Sequence, residues 1–228
     1  MKPLRTILLI AGFATIAATS AFSANLLVNG DFTSGETGWS DSNNVGTVSS
    51  GVLSIAGGGS PDGNFSQAFA PQTGPTVVSF DFFTTNPGSG DRSMNIFLRE
   101  SVGGGQINLR VITGGNVQIF QSGGPSWQTL SGLNGSVVTD GTTVNTFQLT
   151  FNAYGGSLDY DVTVNGSTET GVGFFQNTTL DDFSQFHFTN DFGATAFSAD
   201  NVSVDPIPEP SAALLGLVAL VGLLRRRR

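Results

Sequence analysis

The sequence predicts an all-β domain: a two-sheet antiparallel β-sandwich of jelly-roll type, flanked by an N-terminal signal helix and a C-terminal transmembrane helix. Three observations predict it. Apolar and polar residues alternate in short runs between residues 24 and 205, and no stretch shows a helical period. Turn-forming clusters such as "NPGSGD", "TGGN", "AYGGS" and "VNGS" separate those runs. Both chain ends carry apolar segments flanked by basic residues.

Residues 1–23 read as a secretory signal. Lys2 and Arg5 supply the charged start, and Thr6–Ala18 is a short apolar core. Ala21 and Ser23 are the small residues three and one before the expected cut, which falls between Ser23 and Ala24.

Residues 24–205 form the predicted ectodomain. In "TVVSFDFF", Val78, Phe80 and Phe82 share a face opposite Ser79 and Asp81. "QINLRVI" sets Ile107, Leu109 and Val111 against Asn108 and Arg110. "NTFQLTFN" and "SLDYDVTVNG" alternate in the same way, with Tyr160 inward. One buried and one wet face per strand is the antiparallel pattern, and the spacing predicts about 11 to 13 strands. Of the aromatic residues, 19 are Phe, against two Trp and two Tyr. Phe has no polar handle, so this bias points to a packed core.

Charge narrows the partners. Outside the signal and the last four residues the only basic side chains are Arg92, Arg99 and Arg110, against 17 carboxylates. The span 24–210 therefore carries a net charge of −14, which repels nucleic acid and anionic lipid. There is no cysteine, so thiol catalysis, thiolate metal sites and disulfides are excluded.

Catalytic signatures are sparse. No P-loop, dinucleotide fingerprint or nucleophile elbow occurs. His187 is the only histidine, and its place between Phe186 and Phe188 predicts an outward position, exposed to solvent. Asp159 with Asp161, and Asp181 with Asp182, are the paired carboxylates; glycosidase chemistry needs two facing across a cleft. No catalytic residue is assigned, and the chain is read as a non-enzyme. Trp39 and Trp127 are the candidate sugar-stacking residues, each equally suited to plug a core.

A bulge is expected near Asp200-Asn201, because apolar parity shifts from Phe197 and Ala199 to Val202 and Val204. The opening "NLLVNGDFTSGETGWS" and the closing "ADNVSV" resemble carbohydrate-binding-module and galactose-binding-like jelly rolls. The middle of the domain is similar to laminin-G and concanavalin-type sandwiches. The resemblance implies a structural Ca²⁺ held between the opening segment, with Asp31, and Asp200 of the last strand. Thr33 stands where those families often carry an acid.

The tail is more specific. Pro208-Glu209-Pro210 precede the uncharged Ser211–Leu224, which is followed by Arg225, Arg226, Arg227 and Arg228. Fourteen residues give about 21 Å of helix, short of a bilayer core of about 30 Å, a mismatch met by tilt and local thinning. The four arginines hold the C-terminus in the cytoplasm, with the domain outside. Residues 206–228 resemble the PEP-CTERM sorting segment of Gram-negative bacteria. The resemblance implies a membrane exosortase as partner, after export by the general secretion machinery. It implies cleavage near Pro208-Glu209-Pro210, and association with exopolysaccharide and biofilm matrix. The expected protein is thus a processed, non-catalytic surface or matrix protein. The alternatives are a lectin-like module for extracellular polysaccharide and a glycan hydrolase or lyase.

Overall fold

In the computed structural model, the residues described are 24–58, 63–88, 91–101, 106–120, 127–152, 159–173, 182–190 and 194–207. Ser23, the Pro208-Glu209-Pro210 motif, Ser211–Leu224 and Arg225–Arg228 lie outside them, as do Tyr154 and Asp181.

The strands in chain order are β1 (Ser40–Asp41), β2 (Gly46–Ser49), β3 (Val52–Ile55), β4 (Asn64–Gln72), β5 (Thr76–Thr84), β6 (Arg92–Arg99), β7 (Gln106–Ile112) and β8 (Asn116–Phe120). They continue as β9 (Trp127–Thr129), β10 (Asn145–Phe151), β11 (Asp159–Val164), β12 (Ser167–Gly173), β13 (Phe183–Thr189), β14 (Ala194–Thr195) and β15 (Phe197–Pro206). The chain is all-β in two sheets, as its alternation predicts. One sheet runs β1-β4-β13-β6-β7-β8-β9, with β14 beside β6. The other runs β12-β11-β10-β5-β15-β3-β2. Pairing is antiparallel except between β14 and β6.

The strands form where the pattern says they should. β5 alternates buried and half-buried residues along its whole length, from Thr76 to Thr84. β11 and β12 join through Asn165-Gly166, both at positive φ (50° and 83°), the turn chemistry that a tight hairpin requires.

The core lies between the sheets and is largely phenylalanine. Phe80 of one sheet meets Phe186 and Phe188 of the other edge-on, at 5.9 and 5.6 Å between ring centroids. Phe151 meets Phe183 at 5.7 Å, and Phe188 meets Phe197 at 5.8 Å. Offset and edge-on rings satisfy the quadrupole of each partner. Tyr160 is buried inward, as its register requires.

Among the described residues four register shifts interrupt the ladders, one of them between β11 and β12 at Tyr160 and Val162. In β15 the register shifts between Asp200 and Ser203, with Asn201 at φ 52°, where the parity change predicts it. In β6 it shifts between Ser93 and Asn95, with Met94 at φ 42°. In β13 it shifts between Phe183 and Gln185.

The opening segment is strapped across β15. Asn25 Oδ1 accepts from Leu27 N–H and Val204 N–H, and its Nδ2 donates to the Val202 carbonyl. Leu26 N–H donates to the Val204 carbonyl, and Val202 N–H donates to the Gly30 carbonyl, both at 2.9 Å.

Candidate functional site

The outward face of the eight-stranded sheet gathers residues that the sequence scatters. Residues directly opposite in an antiparallel ladder point to the same side. The register aligns Ser66, His187, Phe97 and Asn108 in one row. A second row is Thr189, Asn95, Arg110, Gln118 and Thr129. A third is Ala68, Gln185, Arg99 and Gln106. The bulge at Met94 resets the parity of β6, so Arg92, opposite Ile112, falls on this face as well.

All three arginines of the ectodomain therefore project from one side of one sheet. Among the described residues, no outward strand position on this face is Asp or Glu. The opposite sheet carries Asp81, Asp161, Asp200 and Asp205 on its strands, and no base. The domain is electrostatically two-faced.

Two arginines are backed by aromatic rings. The Arg110 guanidinium lies 3.7 Å from the Trp127 ring centroid, and Arg99 lies 5.3 Å from that of Phe97. Such stacking orients the guanidinium plane and leaves its edge for hydrogen bonding. Gln118 Oε1 accepts from Arg110 Nε at 2.9 Å and Nη2 at 2.8 Å, which holds the fork in place.

The floor between them is polar and buried. Asn95, Asn108, His187 and Thr189 are each at most 8 % exposed. Asn108 Oδ1, His187 Nδ1 and Arg99 Nε are buried atoms with no hydrogen-bond partner. An unmet buried polar atom costs about 1–3 kcal/mol, so atoms of this kind mark a surface that water or a ligand completes.

His187 corrects an expectation: it is buried, not solvent-exposed. Alternation places it on the outward side correctly. It does not reveal that β13 lies inside an eight-stranded sheet, where neighbouring side chains enclose it. Burial, reinforced by the Arg99 charge, lowers its pKa to about 4. It is therefore neutral near pH 7. The sign is that of a base held neutral in the fold: this contribution to stability is present above about 6.5 and is lost as pH falls toward 4. With Gln185 Oε1 accepting from Nε2 at 3.1 Å, Nδ1 is left as a lone-pair acceptor.

The two tryptophans separate. Trp39 is a core plug: it is 9 % exposed, stacks on Phe65 at 5.2 Å, and donates from Nε1 to the Asn29 carbonyl. It is unavailable for sugar stacking. Trp127 is half-buried at the outward edge strand β9 and belongs to the candidate face.

Asp31 and Asp200 do come close, together with Asp81. Asp200 has a raised pKa, first through burial, with the Asp81 and Asp31 charges adding to it and the Asn201 N–H opposing it. One oxygen of each carboxylate is already engaged. Asp31 Oδ1 accepts from Thr33 Oγ1, Asp81 Oδ2 from Asn201 Nδ2, and Asp200 Oδ1 from Asn201 N–H. Among the described residues no three of His, Cys, Asp and Glu assemble around a common point. Calcium takes six to eight oxygens, so these residues do not make its cage by themselves.

A raised carboxyl pKa means that the fold prefers the protonated acid. That stability is complete below the unfolded value and is lost as pH rises through the folded one. Asp200→Asn is therefore expected to raise the melting temperature at pH 7, with the gain shrinking toward acid pH. Added calcium should raise the melting of the parent chain only if an ion sits there. A variant that melts lower than the parent at pH 7 would refute the repulsion argument.

No family model matches the chain, and no curated protein does. Solved structures match its fold. The cellulose induced protein Cip1 is similar with a TM-score of 0.53 and 18 % identity, over 76 % of this chain and 94 % of that one. The alginate lyase vAL-1 from Chlorella virus matches at 0.52 and 12 %, over 74 % and 93 %. β-Agarase B from Zobellia galactanivorans matches at 0.52 and 9 %, over 77 % and 86 %. At these identities the likeness shows a shared two-sheet fold and nothing finer. That fold carries enzymes such as these two, so it does not by itself separate catalysis from binding.

Proposed function

We propose that this chain is an exported, exosortase-processed, non-catalytic surface or matrix protein that binds glycan through the outward face of its eight-stranded sheet. One observation carries the binding half. Every cation of the ectodomain, a half-buried Trp and a floor of buried amides converge on that face. Amide and imidazole groups suit sugar hydroxyls, and the face of an aromatic ring suits the C–H face of a pyranose. The similar structures named above include an alginate lyase and an agarase, enzymes named for polysaccharides. The non-catalytic reading is supported by the lack of outward carboxylates on the described strands of this face, since glycosidases use two.

The sorting half rests on the tail sequence. β15 runs to Pro206, and Ile207 N–H still donates to the Pro75 carbonyl at 2.7 Å. The motif at Pro208 thus begins immediately after the last strap of the sandwich. An exosortase would cut close to the folded body, with the domain outside the inner membrane and Arg225–Arg228 inside. The product would join the cell surface or extracellular matrix.

A glycan array probed with the full chain tests binding; loss of signal in Trp127→Ala is the expected result, and an array blank for the parent chain refutes it. Intact-mass measurement of the extracellular protein should find residues 211–228 missing, and Glu209→Ala should retain the protein in the membrane. A full-length tail on the extracellular form would overturn the sorting reading.

A further inference from the structure

We infer that the polysaccharide bound at this face is anionic, bearing carboxylate or sulfate groups that Arg99 and Arg110 hold. This rests on the glycan-binding reading above and names the chemical class of its ligand.

The argument begins with charge placement. The span 24–210, of net charge −14, has three arginines as its only Lys or Arg residues, and the register brings all of them to one face. Random placement on a two-sided sandwich would not strip that face of acids while the opposite sheet displays Asp81, Asp161, Asp200 and Asp205. Among the described strand positions, this outer face carries the arginines and no acid, so a polyanion is repelled least here. An anionic chain is therefore guided to this sheet and oriented by it.

The arginines are built for oxyanions. Arg99 makes no ion pair among the described residues, and its Nε is buried without a partner. A half-buried guanidinium with no ion pair gains charge-assisted hydrogen bonds when an oxyanion meets its fork. Arg110 is already oriented by Gln118 and Trp127, so little side-chain freedom remains to be lost. A neutral glycan would use the amides and the ring but offer no charge to the Arg99 and Arg110 guanidinium groups.

Spacing makes the ligand a chain. Arg110 lies opposite Asn95, four residues along β6 from Arg99. At ~3.4 Å per residue and ~4.8 Å between strands, the two backbone positions are about 14 Å apart. That exceeds one sugar ring, and the neutral floor of Asn108 and His187 lies between them. A polymer with acidic groups at intervals meets this arrangement; a free monosaccharide acid meets half of it.

The test uses matched pairs: polygalacturonate against its carboxyl-reduced form, and dextran sulfate against dextran. The full chain in mild detergent is titrated with each by calorimetry. At least one anionic member should bind about tenfold or more tightly than its neutral counterpart. The pair that shows it distinguishes carboxylate from sulfate. Arg99→Gln and Arg110→Gln should each weaken that binding about tenfold, the scale of one charged hydrogen bond. Their melting temperatures should stay within a few degrees of the parent, and Asp161→Asn on the opposite sheet should change nothing. Equal binding within both pairs overturns the inference, as does insensitivity to both arginine variants. If these four polymers fail while neutral glycans bind on the array, the anionic assignment falls and the glycan-binding reading stands. If the array is blank as well, both fall.

Discussion

Truncating Phe188 to alanine is expected to cost about 3–5 kcal/mol of stability, the largest effect of any single change considered for this fold. Phe188 is fully buried and ties three strands and the opening segment together. It meets Phe80 of the opposite sheet at 5.6 Å, Phe186 of its own strand at 4.8 Å, Phe197 at 5.8 Å and Trp39 at 6.5 Å. Three of these partners are aromatic rings at steep angles, which cannot slide into the hole without losing their own edge-to-face geometry. The cavity therefore stays open, and the cost is at the high end for a core truncation. Denaturant unfolding should show the midpoint falling with little change in slope. Phe188→Leu, which retains most of the volume, should recover more than half of the loss. An unfolding free energy unchanged within about 0.5 kcal/mol would mean that the two sheets do not pack through this ring.

The second large effect is expected at Gly30, for a backbone reason. A Cβ built on Gly30 would stand 1.9 Å from the Val202 carbonyl oxygen. That oxygen belongs to the strap that binds the opening segment to β15, where Val202 N–H donates to the Gly30 carbonyl at 2.9 Å. The methyl group and the hydrogen bond cannot coexist, so alanine must push the two backbones apart. Overpacking of this kind costs about 1–3 kcal/mol, and the displaced strap adds exposure of Leu27 and Phe32, both buried beneath it. Gly74→Ala is the control: its Cβ meets nothing within 4 Å and its φ is not positive. Thermal melting should separate the two glycines clearly. A Gly30→Ala protein that melts with the parent would show that the strap is not part of the cooperative unit. The same strap explains the "NGDF" unit of the opening segment. Asn29 and Phe32 adopt positive φ (55° and 50°), and the Asn29 side chain ties the loop by donating to the Gly35 carbonyl and accepting from Ser34 N–H.

Much of this architecture is legible before any coordinates. Alternation in "TVVSFDFF" gives the inward face of β5 residue by residue, because side-chain direction along a strand depends only on local backbone geometry. The parity break between Ala199 and Val202 locates the bulge in β15 for the same reason. Tyr160, Phe186 and Phe188 point inward as their register predicts. His187 shows where this reasoning stops. Its outward direction is a local property, whereas its burial depends on strands β4 and β6 that arrive from distant parts of the chain.

The candidate face is the clearest case. Arg110 and Asn108 can be read as outward from "QINLRVI" alone. Nothing in the sequence places Arg99 beside them, because the ladder between β6 and β7 sets that register. Arg92 is harder still. Simple alternation puts it opposite Arg99 in parity, and only the bulge at Met94 turns it to the same side. Trp127 and Trp39 are equivalent candidates as letters, yet one plugs the core and the other flanks Arg110.

The sequence by itself determined the all-β class, the inward sets of β5, β7, β10 and β11, the absence of thiol chemistry and the expectation of an exported, tail-sorted chain. These follow from composition and from periodicities only a few residues long. The tertiary structure decided which outward residues become neighbours, which polar groups are enclosed, and that three arginines share one face while Asp81, Asp161, Asp200 and Asp205 stand on strands of the other sheet. Those properties depend on strand register, bulges and sheet order, which are long-range pairings that no local pattern contains.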